Sequence, residues 1–121
     1  MADKEHLKAA EEELLSATAE YEATEKLGRA HWLKAVKEGS TDQSFLDWAT
    51  IKFPRFTMMK MKLDNAEGQY NGVLLQIHGH KAEAIIQERR DIAKAKEQEQ
   101  DRIDGEKMKD PKKIADEELE V

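Results

Sequence analysis

RAHWLKAVKEGSTDQSFLDWATIKFPRF, residues 29–56, contains every Phe and Trp of the chain: Trp32, Phe45, Trp48, Phe53 and Phe56. Elsewhere the only aromatic side chains of this kind are Tyr21 and Tyr70. Within the stretch, Gly39 is a helix-terminating residue. Ser40 followed by Gln43 three residues on reads as a capping box that restarts a helix. Phe53-Pro54 breaks that helix, because a residue before proline is pushed out of the helical region while the proline suits the first turn of the next helix. The stretch is therefore a connection between two helices. A short helix over residues 42–51 is expected inside it, with Phe45, Trp48 and Ala49 near one face.

Upstream, residues 4–38 read as one helix. Asp3 is positioned to cap it, and Glu11, Glu12 and Glu13 lie toward its electropositive end. Leu7, Ala10, Leu14, Ala17, Tyr21, Thr24, Gly28 and His31 recur at alternating three- and four-residue spacing, a seam for a second helix. Downstream, residues 55–104 read as a second long helix ended by Gly105. Phe56, Met59, Leu63, Ala66, Tyr70, Val73, Ile77, His80 and Ala84 form its matching seam. The expected fold is all-α: a long antiparallel helical hairpin of coiled-coil type with a short helix at its tip, assembling into a helical bundle. Residues 1–105 would form this domain, and residues 106–121 a flexible or weakly helical acidic tail.

The second helix carries another stripe. Gly68, Gly72, Leu75, Gly79, Ala82 and Ile86 alternate at four- and three-residue spacing on the side away from Tyr70 and Ile77. Each glycine inside a helix costs about 1 kcal/mol relative to alanine, and close approach of another helix would offset that. The sequence predicts self-association of two hairpins through these six residues into a homodimer with four helices at its centre. The alternative is a break at Asn71-Gly72, a turn dipeptide, with a third helix folding back to bury both stripes within one chain.

With 121 residues the chain fits one domain, and its 38% charged residues suit elongated helices. A thin hairpin core needs added support. The chain has no cysteine, which removes disulfides and thiolate metal sites and leaves oligomerisation. The net charge of −6 argues against general nucleic-acid binding. It is unevenly spread: residues 29–62 hold seven basic and three acidic side chains, a net of +4, which leaves −10 for the rest. No apolar run approaches the length of a membrane span. The amino-terminal residues lack the pattern of a secretory signal, so a cytoplasmic setting is expected, with signal-less export left open.

The tip is the candidate docking site. Trp32, Trp48, Phe53, Arg55, Phe56, Met58, Lys60, Met61 and Lys62 mix bulky apolar groups with cations, and methionines make adaptable contact surface. Two arrangements fit: an outward patch for a protein partner, or an internal aromatic knot with the lysines solvated around it. Basic amphipathic helices also bind anionic membranes, so a membrane-peripheral or pore-forming effector is the rival to a non-enzymatic assembly module. Catalytic, cofactor and metal sites are not expected. His78 and His80 point to opposite sides of a helix, and the three serines lack a nucleophile-elbow context. Leu119-Glu120-Val121 resembles the carboxy-terminal peptides that add a strand to another domain, a signal of three residues only.

Overall fold

The structure, a computed structural model, describes residues 3–120. Val121, which completes the carboxy-terminal tripeptide, lies outside the described residues. Helix α1 spans Lys4–Lys37. Asp3 caps it as the sequence predicts, accepting a hydrogen bond from the backbone N–H of His6 at 3.0 Å. Gly39 ends it at a φ of 75°. There the N–H of Ser40 donates to the carbonyl of Ala35 at 2.9 Å and that of Gly39 to Val36 at 3.1 Å, which satisfies two carbonyls of the last turn.

Helix α2 spans Phe45–Lys52, shorter than expected. The capping box at Ser40 does not form. Its hydroxyl donates instead to Ala35 O at 3.0 Å, and Ser44 takes the capping role, accepting from the N–H of Asp47 at 3.3 Å. Helix α3 then spans Pro54–His78, with Pro54 in its first turn. Helices α1 and α3 form the expected hairpin. Leu14, Ala17 and Ala66 are buried between them, with Leu63 and Tyr70 packed alongside.

The expected helix over residues 55–104 is two helices. Gly79 adopts φ 56° and ψ −131°, a conformation that a side chain disfavours, and the chain reverses into helix α4, His80–Lys109. Ala82 and Ile86 then pack on Leu74, with Leu7 and Tyr70 at the margin. At its other end α4 brings Asp104 to Arg29 of α1 and Met108 to the tip core. The chain thus runs up, down and up again. It turns at Gly79 and not at Asn71-Gly72, which stays helical. Leu7 lies in the second turn of α1, so a straight α3 continued past Gly79 would leave its hairpin neighbour behind. Folding back restores apolar burial.

Gly105 lies inside α4, which ends at Asp110 before Pro111. The segment expected to be a flexible or weakly helical tail is docked. It forms two short 3₁₀ turns, Pro111–Lys113 and Asp116–Leu119, and Ile114 between them is only 1% exposed. Lys37 Nζ donates to Ile114 O at 2.8 Å and to Asp116 Oδ1 at 2.9 Å, and Lys107 pairs with Glu118. The largest core therefore gathers Trp32, Leu33, Val36, Phe45, Ala49, Phe56 and Ile114 at the tip.

Gly28 shows why one seam position must be small. A Cβ there would lie 2.7 Å from Cδ1 of Phe53 and 3.3 Å from Cζ of Phe45. Gly28→Ala therefore sets an overpacking cost of about 1–3 kcal/mol against a helix-propensity gain of about 1 kcal/mol. The expected result is a net loss of about 1 kcal/mol in urea unfolding. At Gly105, also helical, an added Cβ meets nothing within 4 Å. Gly105→Ala should raise stability by up to about 1 kcal/mol. The same sign for both variants would contradict the packing at Gly28.

Candidate functional site

The tip is built around Trp32, which is fully buried and donates from Nε1 to the carbonyl of Gln43 at 2.9 Å. That bond fastens the loop after α1 to the helix it leaves. Phe45 stacks on Phe56 with ring centres 4.8 Å apart, Trp32 is tilted against Phe45 at 5.8 Å, and Tyr21 meets Phe56 at 5.3 Å. Burial and the nearby Glu25 push the Tyr21 hydroxyl up to about 12.

Arg29 closes the knot from α1. Its guanidinium carbon lies 4.4 Å over the Phe45 ring. Nη1 donates to Asp104 Oδ2 at 2.5 Å and Nε to Glu25 Oε1 at 2.9 Å, while Gln100 Nε2 donates to Asp104 Oδ1 at 2.9 Å. Burial opposes the charge on Arg29, but the two carboxylates outweigh it and hold the proton more tightly than usual.

The knot divides the sequence-predicted tip residues in two. Trp32 and Phe56 are buried, and Trp48 and Phe53 half-buried, all packed in or against the tip core. Arg55, Met58, Met61 and Lys62 are exposed and Lys60 is half-exposed. Lys62 pairs with Glu20 at 2.8 Å; among the described residues Lys52, Arg55 and Lys60 have no ion-pair partner. No acidic residue occurs from Trp48 to Leu63. Two residues that sequence reasoning passed over belong with the outward set: Leu46 and Ile51 of α2 are 49% and 66% exposed. The eight-residue helix turns Phe45 and Ala49 inward, which leaves these positions no core to reach.

The stripe expected to self-associate is also divided. Gly79 forms the turn, and Ala82 and Ile86 are buried within the chain against Leu74. The premise of one continuous face fails because the helix breaks inside it. Gly68, Gly72 and Leu75 stay on the outer side of α3. A Cβ at either glycine would meet nothing within 4 Å, and Leu75 is 40% exposed.

Between α3 and α4 lies a groove of 530 Å³, with Asp64 and Glu67 on one wall and Arg89, Arg90 and Lys96 on the other. Among the described residues no group of three or more His, Asp or Glu side chains could hold a metal ion, and no helix is long and apolar enough to cross a membrane. Comparison with protein-family models, with curated proteins and with solved structures gives no match. The functional argument therefore rests on the surface itself.

Two outcomes test this geometry. Asp104→Leu leaves a largely buried Arg29 with Glu25 alone, and breaking such a pair should cost about 2–3 kcal/mol, toward the low end because both side chains keep some solvent. Hydrogen exchange should then speed up first in the second half of α4. The Tyr21 contribution to stability should be fully present below about pH 10 and lost as the pH rises toward 12, since the unfolded chain releases that proton earlier. A Tyr21→Phe variant should lack this alkaline loss when unfolding is followed against pH.

Proposed function

We propose that this chain is a non-enzymatic interaction module, a helical stem that docks onto protein through the exposed surface of α2 and the outer side of α3. One observation carries the reading: Ile51, Met58 and Met61 are 66%, 63% and 62% exposed and are interspersed in sequence with Lys52, Arg55 and Lys60, with no acidic residue from Trp48 to Leu63. The aromatic side chains that could have covered them are committed to the knot. Unbranched methionine side chains adapt to varied apolar surfaces, and an excess of cations along this stretch steers an acidic partner. The matching occupant is a protein surface with acidic and apolar groups interspersed.

The groups whose ionisation is displaced favour this reading over catalysis. Asp3 caps α1, Tyr21 and Arg29 serve the knot, and Glu99, Arg102, Asp116 and Glu118 sit in ion pairs. None of them lines the groove between α3 and α4. A cytoplasmic setting belongs to the same proposal. Cations beside exposed apolar groups also suit an anionic membrane surface, which makes lipid the rival occupant of the tip.

Titration with an acidic amphipathic helical peptide at low salt, followed by amide chemical shifts, tests the reading. Shifts should concentrate at residues 46–62 and weaken with added salt. They should disappear in a variant combining Lys52→Glu, Arg55→Glu and Lys60→Glu. Co-sedimentation with phosphatidylserine vesicles but no response to the peptide would move the tip to a membrane role. Silence toward both would sink the docking proposal.

A further inference from the structure

The outer side of α3 carries a second seam, with Gly68 at the edge of the groove toward α4 and Gly72 at the edge of the groove toward α1, and a Cβ at either glycine would still meet nothing within 4 Å. Met58, Met61, Asn65, Gly68, Gly72 and Leu75 follow one another at spacings of three, four, three, four and three, the pattern by which one helix meets another. They lie roughly opposite the inward seam of Phe56, Leu63, Ala66 and Tyr70, and each is exposed or half-exposed. None is charged, in a chain with 38% charged residues. This is an apolar face with methionines at one end and glycines at the other.

The order of residue sizes along that face selects an occupant. When the seam is laid against a reversed copy of itself, Met58 falls opposite Leu75, Met61 opposite Gly72 and Asn65 opposite Gly68. Every pair sums to the same number, so one two-fold axis generates all the contacts, as a closed dimer requires. Met61 and Asn65 then each lie over a glycine, where the space is open to receive them, while Met58 and Leu75 meet each other at the two ends of the seam. In a parallel pairing Met58 would lie on Met58 and Met61 on Met61, while Gly68 and Gly72 would face only themselves and leave a gap.

Charge points the same way. From Trp48 to Leu63 there are four cations and no acidic residue, so the start of α3 is basic, while its other end lies beside the start of α1, where Glu5, Glu11, Glu12 and Glu13 outnumber Lys4 and Lys8. Glu13 of α1 shares a groove with Gly72, and Lys62 is on the same side of α3, where it reaches Glu20 of α1. The reversed pairing brings Lys62 of one copy level with residue 71 of the other, next to that Glu13. A parallel pairing sets basic tip against basic tip.

We infer that the outer face of α3 pairs antiparallel with the same face of a second copy, Met61 seated over Gly72. This rests on the docking reading above and divides that surface: the second copy takes Met58 and Met61 of α3, and the acidic partner is left Leu46, Ile51, Lys52 and Arg55. Because the chain has no cysteine, engineered thiols report the register directly. In an equimolar mixture of Met61→Cys and Gly72→Cys chains, mild oxidation should give a disulfide-linked heterodimer. Each variant alone should stay uncrosslinked, because in the reversed pairing two like positions are separated by eleven residues, about 16 Å along the helix, beyond disulfide reach. Sedimentation velocity of the unmodified chain at tens of micromolar and low salt should show a dimer. Gly72→Leu should weaken it by about tenfold or more with helicity unchanged. Crosslinking of each single variant with itself would overturn the antiparallel register. A clean monomer would overturn the pairing altogether, while the peptide titration at the tip decides the docking reading separately.

Discussion

The ion pair between Arg29 and Asp104 fixes how three long helices share one small core. It joins positions 75 residues apart and pins the far end of α4 to the end of the stem where the aromatic side chains collect. Between its contacts at Ile86 and Asp104, α4 buries almost nothing; residues 87–99 are all exposed. A helix whose exposed middle reaches α3 through Arg89, 5.0 Å over the Tyr70 ring, depends on its ends. One is apolar, with Ala82 and Ile86 on Leu74. The other is ionic, with the Arg29 guanidinium over the Phe45 ring and hydrogen-bonded at its edge to two carboxylates. An arginine suits that place because it stacks and forks at once, which a lysine cannot do.

The same end of the molecule explains the docked tail. Trp32 reaches full burial only because contributions arrive from α1, α2, the start of α3 and Ile114. Ile114 brings exposed carbonyls and carboxylates with it, and Lys37 and Lys107 answer them. The lysine-to-carboxylate bonds hold the Asp116 and Glu118 carboxyls below their usual range. The tip is thus a small globular head on a helical stem, and its aromatic groups are spent on cohesion.

The sequence made the hairpin legible because its signals are local and periodic. The spacing of Leu14, Ala17, Ala66 and Tyr70 marks the stem seam, and Asp3, Gly39 and Pro54 mark helix ends through their own backbone chemistry. The reversal at Gly79 was not legible. Helical residues flank it on both sides, and what ends α3 there is the place where α1 begins, a fact of tertiary geometry. The same holds for Asp104, whose partner is remote in the chain, and for the tail, whose one strong anchor is a single isoleucine. Ser40 and Ser44 are both acceptable caps by composition, and the hydrogen bonds that close α1 decide between them. Of the site, the cations and methionines of α3 were legible as a group. The assignment of each aromatic to the inside required the knot to be seen.

The fold-back also determines which surface remains. A helix in a bundle has room for about three neighbours around its circumference. Helix α3 gives one side to α1 and a flank to α4 through Leu74, and α2 covers only its beginning. Had α4 run straight on from α3, the glycine stripe would have continued to Ala82 and Ile86. By turning at Gly79 the chain draws those two apolar residues inside and shortens the open face to Met58–Leu75. What it leaves uncovered is an uncharged stripe with methionines at one end, Leu75 at the other and two glycines between them. Each glycine within a helix costs stability, and in the pairing proposed above Met61 and Asn65 of a second copy come to lie over Gly72 and Gly68.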